Sequence, residues 1–66
     1  MANRLLQYFK FDHLPPHLQA ASRPCGELAQ LIDELLPESA EKTAGLRKLL
    51  EAKDCFTRAK LDADRG

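Results

Sequence analysis

Apolar positions in the middle of the chain recur at Leu18, Ala21, Cys25, Leu28, Ile32 and Leu35, in steps of 3, 4, 3, 4 and 3. That spacing is the seam of an amphipathic helix, and Leu31 and Leu36 widen it. The pattern predicts a helix over 16–36. Pro24 falls inside it. A proline there removes a backbone donor and crowds the preceding turn, so the expectation is two collinear pieces, 16–22 and 23–36, bent at the joint. Ser22 is the expected cap of the restart, and Gly26 is expected to add local flexibility. Pro37 closes the run. Ser39 is placed to cap a second helix, and Glu41 falls in its first turn, where an acid complements the helix dipole. That helix is expected over 39–62. Its inward side would carry Leu46, Leu49, Leu50, Ala52, Cys55, Phe56 and Ala59, and its wet side Lys48, Glu51, Asp54, Arg58 and Asp62. Asp54 and Arg58 are spaced for a surface pair, and the residues from Asp62 onward read as a frayed end.

The first 14 residues form a shorter unit. Leu5 and Phe9 are one helical turn apart, which fits a short helix or an arm that orders on contact. Pro15 and Pro16 impose an extended approach to the long helix, and Asp12 or His13 is expected to begin a tight turn before them. No segment alternates with the period of a strand. The fold class expected is therefore all-α: an antiparallel helical hairpin with an N-terminal arm, one small domain over 1–66.

A chain of 66 residues buries a low fraction of its surface and usually needs a staple. Cys25 and Cys55 are the only cysteines, with no Cys-x-x-Cys pair, so neither a disulfide framework nor a cysteine zinc site is indicated. One Cys25–Cys55 bridge between the helices is geometrically open, and two buried, reduced thiols are the favoured expectation. Oligomerisation is then the expected staple. Ten basic residues balance ten acidic ones, which argues against non-specific binding to duplex nucleic acid. It leaves room for a small anion held by a few local cations. No run of 18 apolar residues exists, and Met1–Leu6 lacks the apolar core of a signal peptide. A soluble, cytoplasmic protein is expected, with no membrane partner and no cofactor.

His13 and His17 are four apart, but Pro15 and Pro16 lie between them and spoil a shared helical face, so a metal site is not expected. Ser22 and Ser39 read as caps and the carboxylates as solvated helix faces, so an enzyme is not expected either. Tyr8, Phe9 and Phe11 gather three of the four aromatics beside Lys10. Phe9 reads as a clasp over the hairpin. Tyr8 and Phe11, three apart, would point alike on a helix and offer a platform on which nucleobases stack, with a cation near for a phosphate. Arg23 beside Pro24 is a second candidate: a helix restart frees backbone N–H groups for an anion, and the guanidinium adds a bidentate donor.

The series Tyr8-Phe9-Lys10-Phe11-Asp12-His13, then Glu27-Leu28-Ala29, then Leu36-Pro37-Glu38-Ser39-Ala40-Glu41-Lys42-Thr43, then Leu46-Arg47-Lys48-Leu49 resembles the small phage proteins of the anti-CBASS protein 2 family. The resemblance covers roughly residues 4 to 60. It implies a compact helical protomer in a homohexamer. It implies a non-catalytic sponge that sequesters the cyclic oligonucleotide signals of bacterial CBASS immunity in the cytoplasm of the infected host. Cyclic dinucleotides would bind between protomers, with Phe11 and Arg23 converging across the protomer boundary, and cyclic trinucleotides in separate pockets. Phe11 stands where the family commonly has a base-stacking tyrosine, keeping the ring and losing the hydroxyl. Arg23 matches a family cation in chemistry, one position out of register. For the trinucleotide pocket, Asp62 occupies the nearest aligned place of the family's arginine and Arg58 lies one turn earlier. The dinucleotide function is thus implied more directly than the trinucleotide one. The ligand-binding residues expected are Phe11, Arg23, Tyr8, Lys10 and Arg58. The rival reading is a helical adaptor that binds a host protein through the apolar face of its hairpin.

Overall fold

The computed structural model describes residues 3–65. A 3₁₀ helix, Arg4–Phe9, leads to two long helices, α1 (Pro16–Leu35) and α2 (Ala40–Arg65). Contacts climb the pair in opposite order: Asp33 meets Lys42, Ser22 meets Thr57 and His17 meets Asp64. The long helices are therefore antiparallel, as the apolar pattern predicted. The 3₁₀ helix lies against both. The body measures 41 × 18 × 15 Å, a rod whose length matches a 26-residue helix at about 1.5 Å per residue.

The segment boundaries follow local chemistry. Asn3 caps the 3₁₀ helix through its side-chain oxygen, which accepts from the Leu5 amide at 2.9 Å. Asp12 and His13 occupy the middle of a turn closed by the Leu14 amide on the Phe11 carbonyl. Pro15 is extended, and Pro16 takes the first helical position, where a missing amide costs nothing. Ser39 caps α2 as expected, its Oγ accepting from the Lys42 amide at 3.0 Å.

Three expectations about these helices are corrected. A single helix runs through Pro24, with no restart. Ser22, the expected cap, is fully buried and its Oγ lies 2.7 Å from Thr57 Oγ1. Packing against α2 thus holds the backbone helical across a proline that costs about 3 kcal/mol in an isolated helix interior. The end of α2 continues to Arg65 instead of fraying at Asp62. Asp64 accepts from Lys60 at 2.9 Å and approaches His17 of α1 at 3.8 Å.

The third correction concerns which faces turn inward. On α2 Leu46, Leu49, Leu50 and Ala52 are covered as expected, but the line is completed by Lys42, Lys53 and Thr57 in place of the expected Cys55, Phe56 and Ala59. Cys55, Phe56 and Ala59 are exposed. On α1 the buried line runs through Ser22, Cys25 and Ala29, small residues that allow close approach, and Leu28 and Leu35 face outward. The heptad reading holds at Leu18, Ala21, Cys25 and Ile32 and fails at Leu28 and Leu35, because it could place only apolar residues in the seam. Hydrogen bonds let polar ones occupy it. Cys25 is buried as expected and Cys55 is not, and both thiols are free.

Phe9, Ala29 and Leu46 form the core cluster, with Leu5, Leu6, Ile32, Leu49 and Leu50 packed around it. Phe9 is thus the expected clasp. Asn3, Ser22, Lys42 and Lys53 are buried polar residues. Among the described residues every buried side-chain nitrogen and oxygen has a partner, which is the condition for burying such groups at tolerable cost.

Candidate functional site

The N-terminal segment is held to the hairpin at two polar points and one steric one. At the hairpin turn, Lys42 Nζ donates to the carbonyls of Leu36 (2.7 Å) and Asp33 (3.1 Å), and pairs with the carboxylates of Glu38 (2.6 Å) and Asp33 (3.0 Å). It thereby supplies the positive charge that the C-terminal carbonyls of α1 favour. Asn3 joins this cluster. Its amide donates to Asp33 Oδ1 (3.0 Å), and its Nδ2 donates to Glu38 Oε2 (3.0 Å) and Thr43 Oγ1 (3.1 Å). The Lys42 ammonium first, and then the Asn3 amide, hold the Asp33 carboxyl below its usual range, against burial. Glu38 and then Asp33 raise Lys42 against its own burial.

At the other end of the 3₁₀ helix, Lys53 Nζ donates to the Tyr8 carbonyl at 2.8 Å. The steric point is Gly26. A Cβ there would stand 3.0 Å from the Phe9 carbonyl oxygen and 3.2 Å from Cδ1 and Cε1 of Phe11. Gly26 is therefore the seat on which the chain after the 3₁₀ helix lies, rather than the source of flexibility expected of it.

This seating delivers Phe11 onto α1. The Cζ of Arg23 lies over the Phe11 ring, 5.3 Å from its centroid, inside the range of a cation–π contact. Phe11 and Arg23, expected to meet across a protomer boundary, are instead brought together within one chain, because the N-terminal segment folds back over Gly26. A hollow of about 180 Å³ beside Phe11 is also lined by Phe9, Lys10, Asp12, Gly26 and Gln30. A second hollow, of about 390 Å³, is lined by Arg23 with Pro16, Gln19, Ala20 and Pro24. The Phe11–Arg23 pair is shared between them, one residue to each side.

The other expected site residues divide. Lys10 joins Phe11 in the smaller hollow. Tyr8 is exposed and outside that hollow, because the helix ends at Phe9 and Lys10 is extended, so the three-residue spacing to Phe11 no longer aligns the rings. Arg58 sits on α2 with its Nη2 3.4 Å from Cys55 Sγ, in place of the expected pairing with Asp54. The free amides expected beside Arg23 are not available either, since α1 has no restart there. What remains at Arg23 is the side chain itself. Gln30, Asp12 and Gly26 are site neighbours that the sequence reading passed over, and the repeat of α1 offered a signal: Arg23, Gly26 and Gln30 are spaced 3 and 4 apart, on one helical face.

A separate groove of about 480 Å³ lies at the hairpin turn, lined by Ile32, Leu36, Pro37, Ser39, Glu41, Lys42, Gly45 and Leu46. Leu28, Leu31 and Leu35 stand exposed on the outer side of α1. Among the described residues, no helix is long and apolar enough to cross a membrane, and no group of three or more His, Cys, Asp or Glu side chains is placed to hold a metal ion. No protein-family model, curated protein or solved structure matches this chain.

Proposed function

We propose that this chain binds cyclic dinucleotides and keeps them out of solution without altering them, the sponge activity that its resemblance to the anti-CBASS protein 2 family implies. The observation that carries the reading is the Arg23 guanidinium over the Phe11 ring at 5.3 Å. An aromatic face and a planar cation are the two groups a nucleotide needs, one for its base and one for its phosphate. Lys10 adds a second cation beside the ring. A base stacked on Phe11 contributes about 1–3 kcal/mol, and a sponge with nanomolar affinity needs about −12 kcal/mol.

One such corner is too small to reach that figure. A cyclic dinucleotide carries two bases and two phosphates, so two protomers related by a two-fold axis would each present the same corner to it. The reading therefore includes self-assembly, with the homohexamer of the family as the expected form. Support comes from the exposed Leu28, Leu31, Leu35, Leu36 and Phe56, at 44–68% of full exposure, and from a core of only a few apolar side chains. Cyclic trinucleotides would need a second site, for which Arg58 is the available cation. The setting is the cytoplasm of a phage-infected bacterium.

Native mass spectrometry with a panel of cyclic di- and trinucleotides tests the reading. A hexamer that gains intact cyclic dinucleotide in a fixed ratio supports it. A monomer that takes up no cyclic nucleotide contradicts it. The second reading, a helical adaptor for a host protein, is favoured by one observation, the apolar groove between Ile32 and Leu46 at the hairpin turn. It predicts a groove that stays open after self-assembly.

A further inference from the structure

We infer that Arg23 masks the Phe11 ring in the free protein, so that the site selects ligands carrying a base and a phosphodiester together and discriminates against a base alone. This rests on the nucleotide reading above and adds its specificity.

Phe11 is half-buried, with one ring edge 3.2 Å from where a Cβ on Gly26 would stand, and the guanidinium of exposed Arg23 lies over the ring. Among the described residues no carboxylate pairs with Arg23 and no side-chain hydrogen bond uses it. The guanidinium thus lies over the ring with no side-chain partner for its donors among the described residues. A neutral base that takes the ring face displaces the cation and loses the cation–π attraction, with nothing to replace it. A base that arrives with a phosphodiester gives the displaced guanidinium a bidentate acceptor. No ion pair has to break for that exchange. Inorganic phosphate alone meets the cation but cannot use the ring. The pair therefore favours the linked ligand over either of its parts.

The test uses the full chain and three probes: adenosine, inorganic phosphate and 3′,3′-cyclic di-AMP. In the free protein, the side-chain protons of Arg23 should show ring-current shifts by NMR, and Phe11→Leu should abolish them. In Arg23→Ala, adenosine should bind about two- to fivefold more tightly than to the wild type, the range an exposed cation–π contact sets. Cyclic di-AMP should bind about tenfold more weakly or worse, as the loss of a charge-assisted hydrogen bond requires. Phosphate should bind the wild type far more weakly than cyclic di-AMP. Arg23 is an exposed helical position, so the alanine variant should keep wild-type helicity. Unshifted Arg23 protons, or equal or weaker adenosine binding in Arg23→Ala while cyclic di-AMP still binds the wild type, would overturn the masking and leave the sponge reading standing. Shifted Arg23 protons with no binding of cyclic di-AMP to the wild type would overturn both.

Discussion

Lys53 Nζ donates to the carbonyl oxygen of Tyr8 at 2.8 Å, which fastens the end of the 3₁₀ helix to the middle of α2. The bond lies three residues before Phe11 and uses a lysine that is only 8% exposed. It sets where the chain leaves the 3₁₀ helix, and hence where Phe11 lands on α1. Lys53→Met keeps the length of the side chain and removes the donor. It should cost about 1–3 kcal/mol of stability, the range for losing a hydrogen bond from a charged group. Thermal or urea unfolding followed by circular dichroism checks this.

Gly26 controls the same landing by its lack of a side chain. Gly26→Ala gains about 1 kcal/mol of helix propensity but puts a methyl 3.0 Å from the Phe9 carbonyl oxygen. Backbone must move to admit it. The expected outcome is a small net change in stability together with weaker cyclic dinucleotide binding, because the Phe11 segment lifts from α1. An affinity equal to the wild type, measured by calorimetry, would show that the ring need not sit where it does.

The helices, and all of their ends but the last, were legible because their signals are local. Pro16 at a first helical position, Ser39 at a cap and the leucine spacing each act within one turn. What was not legible is long-range. Lys42 and Lys53 were left out of the expected inward side, since nothing local reveals that carbonyls of Leu36 and Tyr8 await them. Counting only apolar residues then placed Phe56 inside, although it is 55% exposed. Pro24 read as a break because the local cost of a proline is visible and the burial of Ser22 against Thr57 is not. Phe11 and Arg23 were each singled out for their own chemistry. Their meeting within one chain depends on Gly26, whose role is visible only once the N-terminal segment is folded back.

The core should behave as a small one. Leu46 is 1% exposed and packs with Phe9 and Ala29. Leu46→Ala should cost about 2–5 kcal/mol, which is a large share of the stability available to a domain this size. Chemical denaturation should show either a strongly lowered midpoint or loss of the folded baseline. Leu35→Ala, at a position 68% exposed, separates protomer folding from assembly. It should leave helicity intact and weaken any oligomer that buries this face.

The cluster at the hairpin turn makes stability depend on pH at both extremes. Asp33 has its carboxyl lowered from 3.8 in the fold. Its contribution is present above that value and is lost as pH falls through the lowered folded value, so acid should weaken the turn below about pH 4. Lys42 is raised from 10.5. Its contribution is present below that value and is lost as pH rises through the raised one. Lys42→Met should lower the unfolding midpoint at neutral pH and flatten both limbs, while Lys48→Met, on the exposed side of α2, should change neither. Unfolding midpoints measured across pH 2 to 12 distinguish the two variants, on the order of the range these groups span.

Calorimetric titration of the wild type and Phe11→Ala with a 3′,3′-linked cyclic dinucleotide tests the account most directly. Tight binding is expected at one ligand per two protomers, with a loss of about 1–3 kcal/mol in Phe11→Ala, the range of one base–aromatic stack. The variant should keep the oligomeric state of the wild type. No heat of binding in the wild type, or equal affinity in Phe11→Ala, would contradict the assignment of the Phe11–Arg23 corner as the nucleotide site.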